Sequence, residues 1–183
     1  MFTESGERSR SHGLSRAVLE AHAAALGVPL LTAAASWADY EIGMVDLLQR
    51  AAERGVTQAV FGDIDIERHR AWEESVCSQA GINAQLPLWQ SDRMALLEEW
   101  WAAGFEATIV VTRDGVVDRK YLGQVLDRQV AKELTALGVD ACGENGEFHT
   151  VVTAGPIFRQ PIRIDLCEQV LLGGCWFQDL TLV

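Results

Sequence analysis

The chain has 183 residues, 15 of them basic and 26 acidic, for a net charge of −11 at neutral pH. Polyanionic backbones are bound by basic side chains that displace counterions. This balance, relieved only by the cluster Arg8, Arg10 and Arg16, therefore argues against nucleic acid as the main partner and suits a small or cationic substrate better. With 49% hydrophobic and 22% charged residues the composition is that of a folded globular chain rather than a disordered one.

Apolar positions Leu14, Ala17, Val18, Ala21 and Ala25 recur at steps of three and four and predict an amphipathic helix up to Leu26, stopped by Gly27. Beyond Pro29, the run 30–35 is apolar on both faces and is expected to be a central parallel strand. Asp39 then caps a helix to Arg54, with an apolar set of Ile42, Val45, Leu48 and Ala52. A strand over 56–61 breaks at Gly62, Asp63 and Ile64, and a helix follows to Ala80. Strand and helix in this rhythm predict βαβ units, whose ligands sit at the carboxyl ends of the strands. Next come a strand over 83–89 and a helix capped by Ser91, with Met94, Leu97 and Trp101 inward. A strong strand over 105–112 and a turn at Arg113, Asp114 and Gly115 follow, then a long helix over 118–137. After Gly138 the texture changes to short strands over 148–153, 162–166 and 176–183, which places a domain junction near Ala84.

No stretch of the sequence reads as a membrane span or signal peptide, and Cys77, Cys142, Cys167 and Cys175 form no CxxC pair. The expectations are a cytoplasmic protein with reduced thiols and no membrane partner. A metal site from Cys142, His149, Cys167 and Cys175 lacks the paired short spacings of zinc sites, so no metal ligand is assigned.

The stretch Gly143 to Thr150, GENGEFHT, concentrates the chemistry. Gly143 and Gly146 allow positive φ, which can bring the carboxylates of Glu144 and Glu147 together to hold Mg²⁺, receive an ammonium group or deprotonate an amine. His149 adds a titratable ring and Thr150 a hydroxyl. Spacing alone favours the plainer alternative, a glycine-rich hairpin with solvent-facing glutamates.

Together with VFGDID over 60–65 and TAGPIF over 153–158, this motif resembles the diphthine–ammonia ligase family, within the adenine nucleotide alpha hydrolase group of PP-loop ATPases. The resemblance covers nearly the whole chain. It implies an α/β fold: a parallel Rossmann-like (HUP-type) sheet in a partial adenine nucleotide alpha hydrolase-like domain over 1–84, then a smaller α+β substrate-binding domain over 85–183. The implied activity is ATP-dependent amide ligation, in which ATP with Mg²⁺ activates a substrate carboxylate as an acyl-adenylate and ammonia displaces AMP. The family's carboxylate is diphthine on elongation factor 2. Glu144, Glu147 and His149 are then the expected catalytic residues, and Gly143, Asn145, Gly146 and Thr150 the expected substrate-binding ones. Gly62 and Asp63 would face the nucleotide, with His12 and Gly13 near its adenine side. One departure is clear: the family's SGGKDS phosphate loop is not in this sequence, and Met1, Phe2 and Thr3 match the tail of the family's second strand. A sheet lacking its first strand leaves unpaired edges, so a homodimer, or a rearranged N-terminal part, is expected.

Overall fold

The computed structural model describes all 183 residues. In chain order the elements are α1 (Arg16–Leu26), α2 (Tyr40–Ala52), β1 (Gln58–Val60), α3 (Glu67–Ala80), β2 (Asn83–Gln85), α4 (Arg93–Ala102), β3 (Glu106–Arg113), a 3₁₀ turn (Arg119–Tyr121), α5 (Arg128–Ala136), β4 (Phe148–Ala154), β5 (Ile164–Leu172) and β6 (Cys175–Leu182). The fold is mixed α/β, with one parallel pair of strands and one antiparallel sheet. It divides into two compact units, the first comprising 1–7 and 31–92, the second 8–30 and 93–183.

The first unit is built on β1–α3–β2. The strands pair in parallel, Gln58 with Asn83 and Val60 with Gln85, as a helical crossover requires. Cys77, Ala80 and Ile82 form its core, with Leu48 and Ala52 of α2 and Ala59 and Phe61 packed against them. The run 30–35 does not form the expected strand. Only Ala34 is bridged, in parallel to Phe2, through Phe2 N to Ala33 O (2.8 Å) and Ala35 N to Phe2 O (3.2 Å). Three consecutive alanines at 33–35 supply little of the β-branched packing that holds a strand flat.

The second unit is a four-stranded antiparallel sheet in the order β4-β3-β6-β5, covered on both faces. The central strand β3 is buried over its six inner residues, four of them apolar and two the β-branched Thr108 and Thr112, in keeping with the strong strand expected over 105–112. One face carries Leu97, Tyr121, Leu126, Val130, Leu134 and Phe148. The other carries Leu14 and Val18, which pack with Val110, Val111, Val151 and Leu180. Ser15 caps α1 by accepting from Val18 N, and this helix belongs to the second unit although in sequence it lies between the two segments of the first.

The expected strand over 83–89 ends at Gln85, and two further expectations need correction. The single helix over 118–137 is a 3₁₀ turn, then an irregular segment, then α5. The segment between is held to β3 by Gly123 N to Ile109 O (2.8 Å) and Leu126 N to Ala107 O (2.8 Å), and Asp127 starts α5 by accepting from Val130 N (2.8 Å). Met94 does not face inward. It is 45% exposed, whereas Leu97 is buried and Trp101 anchors by donating from Nε1 to Leu126 O (2.8 Å). No helix is long and apolar enough to cross a membrane.

Candidate functional site

The GENGEFHT loop owes its shape to a residue outside it. Asp140 Oδ1 accepts from Cys142 N (3.1 Å), its Oδ2 from Glu144 N (2.9 Å), and its carbonyl from Gly143 N (3.0 Å). The same carboxylate receives Arg93 Nη1 at 2.6 Å, which compensates the charge of a side chain only 13% exposed. Gly143 and Gly146 have φ of 69° and 70°, and a Cβ on Gly143 would stand 3.0 Å from Phe148 O, so both positions need glycine. The positive φ at both glycines is the one read from the sequence.

Glu147 turns into the loop. Its Oε2 accepts from Asn145 N (3.0 Å) and its Oε1 from Asn145 Nδ2 (3.4 Å), leaving the residue 9% exposed. Arg113 closes the other side: its backbone N donates to Glu147 O (2.8 Å) and its Nη2 to Asn145 O (2.6 Å). β4 starts at Phe148, where Thr112 pairs with Phe148, Val111 with His149 and Ile109 with Thr150. Paired residues of an antiparallel ladder share a face, and alternate residues of one strand do too. Arg113, Val111 and His149 therefore lie on one side of the sheet.

His12 meets His149 on that side. The ring centroids are 4.8 Å apart with planes inclined by 56°. The turn that presents His12 is tied by Ser9 N to Leu14 O (2.8 Å), Leu14 N to Ser9 Oγ (3.0 Å) and Gly13 N to Ser9 O (3.0 Å). Arg8 holds it down by donating to Gly13 O (2.9 Å) and pairing with Asp179 at 2.7 Å. A Cβ on Gly13 would stand 2.7 Å from the ring of Phe177, the cross-strand neighbour of Val111. Burial, then the neighbouring His149, lower the His12 pKa from 6.5 to about 4; burial and the Arg113 charge lower that of His149. Both rings are neutral at physiological pH.

The expected site residues thus fall in two places. His12 and Gly13 stand with Glu147 and His149 in the second unit, and Gly62 and Asp63 stand in the first. There Asp63 Oδ1 lies 2.7 Å from Nδ1 of His69 in α3, and Gly62 opens on free space. Sequence reasoning missed Asp140, Arg93 and Arg113. The Asp-x-x-Gly spacing of Asp140 and Gly143 is a turn signature that could have flagged the first. The two-residue step from Val111 could have placed Arg113 on the site face.

Comparison with known proteins draws the division differently, because the N-terminal pattern takes in residues 8–30, which belong to the second compact unit. The pattern of the diphthamide synthase N-terminal domain matches residues 1–84, and that of the diphthamide synthase C-terminal domain matches residues 92–180. Similar proteins include the diphthine–ammonia ligases of Rattus norvegicus, 32% identical over 133 residues, and of Homo sapiens, 31% identical over 134. Each alignment takes in 70% of this chain and 50% of the relative. That of Danio rerio is 33% identical over 123 residues, 65% of this chain and 48% of the relative. The chain spans about half the length of these relatives. With both domain patterns matched in order, and with a glycine-shaped loop and its histidine at the head of β4, the chain belongs to the diphthine–ammonia ligase family.

Proposed function

We propose that this chain supplies the carboxylate- and ammonia-handling part of an ATP-dependent amide ligase, acting on diphthine or a similar protein-borne or small carboxylate. The observation that carries this reading is the contact between His149 of the motif and His12, two neutral imidazoles beside a rigid loop. Amide formation from ammonia requires a base that takes a proton as nitrogen attacks the activated carbonyl. A half-buried neutral imidazole is such a base. Glu147 and Asp140 serve by fixing the loop, since their oxygens are committed to Asn145, Arg93 and backbone amides. Glu144, Asn145 and Thr150 then border the substrate.

ATP, when bound, supplies the adenylyl group that activates the carboxylate. Gly62, open at the carboxyl end of β1, fits close approach of a nucleotide to the backbone. The phosphate side does not fit: the 183 residues contain no SGGKDS loop, and no three His, Cys, Asp or Glu side chains are arranged to hold a metal ion. For these 183 residues alone, that mismatch supports a second reading, in which they bind a ligand or partner without turnover. The proposal also includes a homodimer. It is supported by β5, the outermost strand, where Leu166, Val170, Leu171 and Leu172 are all exposed, the last at 69%.

The test is incubation of the chain with diphthine-bearing elongation factor 2, ATP and ¹⁵N-ammonium, followed by mass spectrometry. Label in a new amide supports the ligase. Saturable binding without label supports the binding module. Neither conversion nor binding refutes both.

A further inference from the structure

In so acidic a chain, guanidinium groups are drawn to carboxylates. Arg8 holds Asp179, Arg70 holds Glu74, Arg93 holds Asp140 and Arg128 holds Glu98. Arg113 differs. It has no carboxylate within ion-pair distance, and its one side-chain hydrogen bond goes to a neutral acceptor, the carbonyl of Asn145 at 2.6 Å. Glu147, whose backbone carbonyl accepts from Arg113 N, turns its carboxylate to Asn145 instead. The guanidinium is exposed, and a guanidinium carries five N–H donors in a planar fork. Gly146 gives it room, since a Cβ there would come within 3.1 Å of Nη2. Its field reaches the neighbouring ring, because the Arg113 charge helps keep His149 neutral.

We propose that Arg113, with the adjoining rings of His149 and His12, recognises an anionic group of the ligand, a carboxylate or phosphate oxyanion, beside the GENGEFHT loop. This rests on the loop being a substrate site, and it reverses the expectation of a cationic ligand drawn from net charge. The total of −11 repels anions at long range, but screening confines that field to about 8–10 Å at physiological salt. At the site itself an unneutralised guanidinium and two uncharged imidazoles face the ligand. A charge-assisted fork to a planar or tetrahedral oxyanion would fix which end of the ligand meets the histidines.

The test uses the whole chain with ¹³C-labelled histidine rings, held near pH 7.5 and constant ionic strength. It is titrated separately with sodium acetate, inorganic phosphate and tetramethylammonium chloride. The His149 and His12 resonances are expected to move saturably with acetate or phosphate and not with tetramethylammonium, and the stronger of the two anions identifies the oxyanion. Arg113→Gln should raise the midpoint tenfold or more, Arg113→Lys should retain part of the affinity, and added NaCl should weaken it. A role confined to holding the Asn145 carbonyl would leave the midpoint unmoved. An unchanged midpoint in Arg113→Gln, a response to neither anion, or preference for the cation overturns the proposal. If Arg113→Gln does not fold, the Lys variant and the salt series decide in the same way. Amide formation that is indifferent to Arg113 would overturn this inference and leave the ligase reading standing. Arg113-dependent anion binding in a chain that makes no amide would do the reverse.

Discussion

Acidification should loosen the second unit through the His12–His149 contact. An unfolded histidine takes up a proton near pH 6.5, whereas burial and the facing His149 ring hold folded His12 neutral down to about pH 4. Between those values the unfolded chain binds more protons, so stability is complete above about pH 6.5 and falls as the pH drops toward 4. For His12 alone the linkage amounts to about 2 kcal/mol at pH 5 and about 3 kcal/mol below pH 4. His149 and His22, also depressed by burial, act in the same direction. Asp179, depressed chiefly by its hydrogen bond from Arg8, loses its contribution only at lower pH. A loss of about 2 kcal/mol in a chain of this length corresponds to about 4–8 °C in Tm. The assay is thermal unfolding at pH 7.5, 6.5, 5.5 and 5.0 for the parent and His12→Asn. The parent should lose those degrees and the variant clearly fewer, with the curves converging at pH 5. Parallel curves would refute the argument, because the ring contact would then impose no cost on protonation.

Four further outcomes are expected. Glu147→Ala strips two hydrogen bonds from Asn145 and should cost about 2 kcal/mol by chemical denaturation, whereas Glu147→Gln, which keeps an acceptor, should cost about 1 kcal/mol or less. Asp140→Asn leaves Arg93 without its carboxylate and should cost about 2 kcal/mol, with ¹H–¹⁵N shifts concentrated over 141–147; shifts spread evenly would contradict the role of Asp140. Sedimentation should find a dimer that Leu171→Lys dissociates, and calorimetry at micromolar concentration should find no saturable ATP binding to the 183 residues.

How much of this was legible in the sequence depended on the length of each periodic run. The helices ending at Gly27 and Gly81 were placed well because apolar spacing and a glycine stop coincide, and Gly27 and Gly81 do take positive φ. The six buried residues of β3 identified themselves by a run of β-branched and apolar side chains. Residues 30–35 looked equally apolar yet hold one bridge, because strand formation depends on partners that composition does not reveal. The run after Asp118 looked helical, but Gly123 and the capping carboxylate of Asp127 divide it. In the site, the glycines and His149 were visible as a motif. The approach of His12 was not, because it spans 137 positions and depends on α1 packing in the second unit. Arg113 was invisible for a related reason: its meaning lies in the absence of a carboxylate partner, which only coordinates can show.

The most direct test of the central claim compares the parent with His149→Ala in the labelled-ammonium reaction, once circular dichroism has shown both to be folded. Removing a general base that touches the attacking nitrogen should slow label incorporation by about 100-fold or more. Equal rates in the two proteins would contradict the assignment of the reaction to this loop.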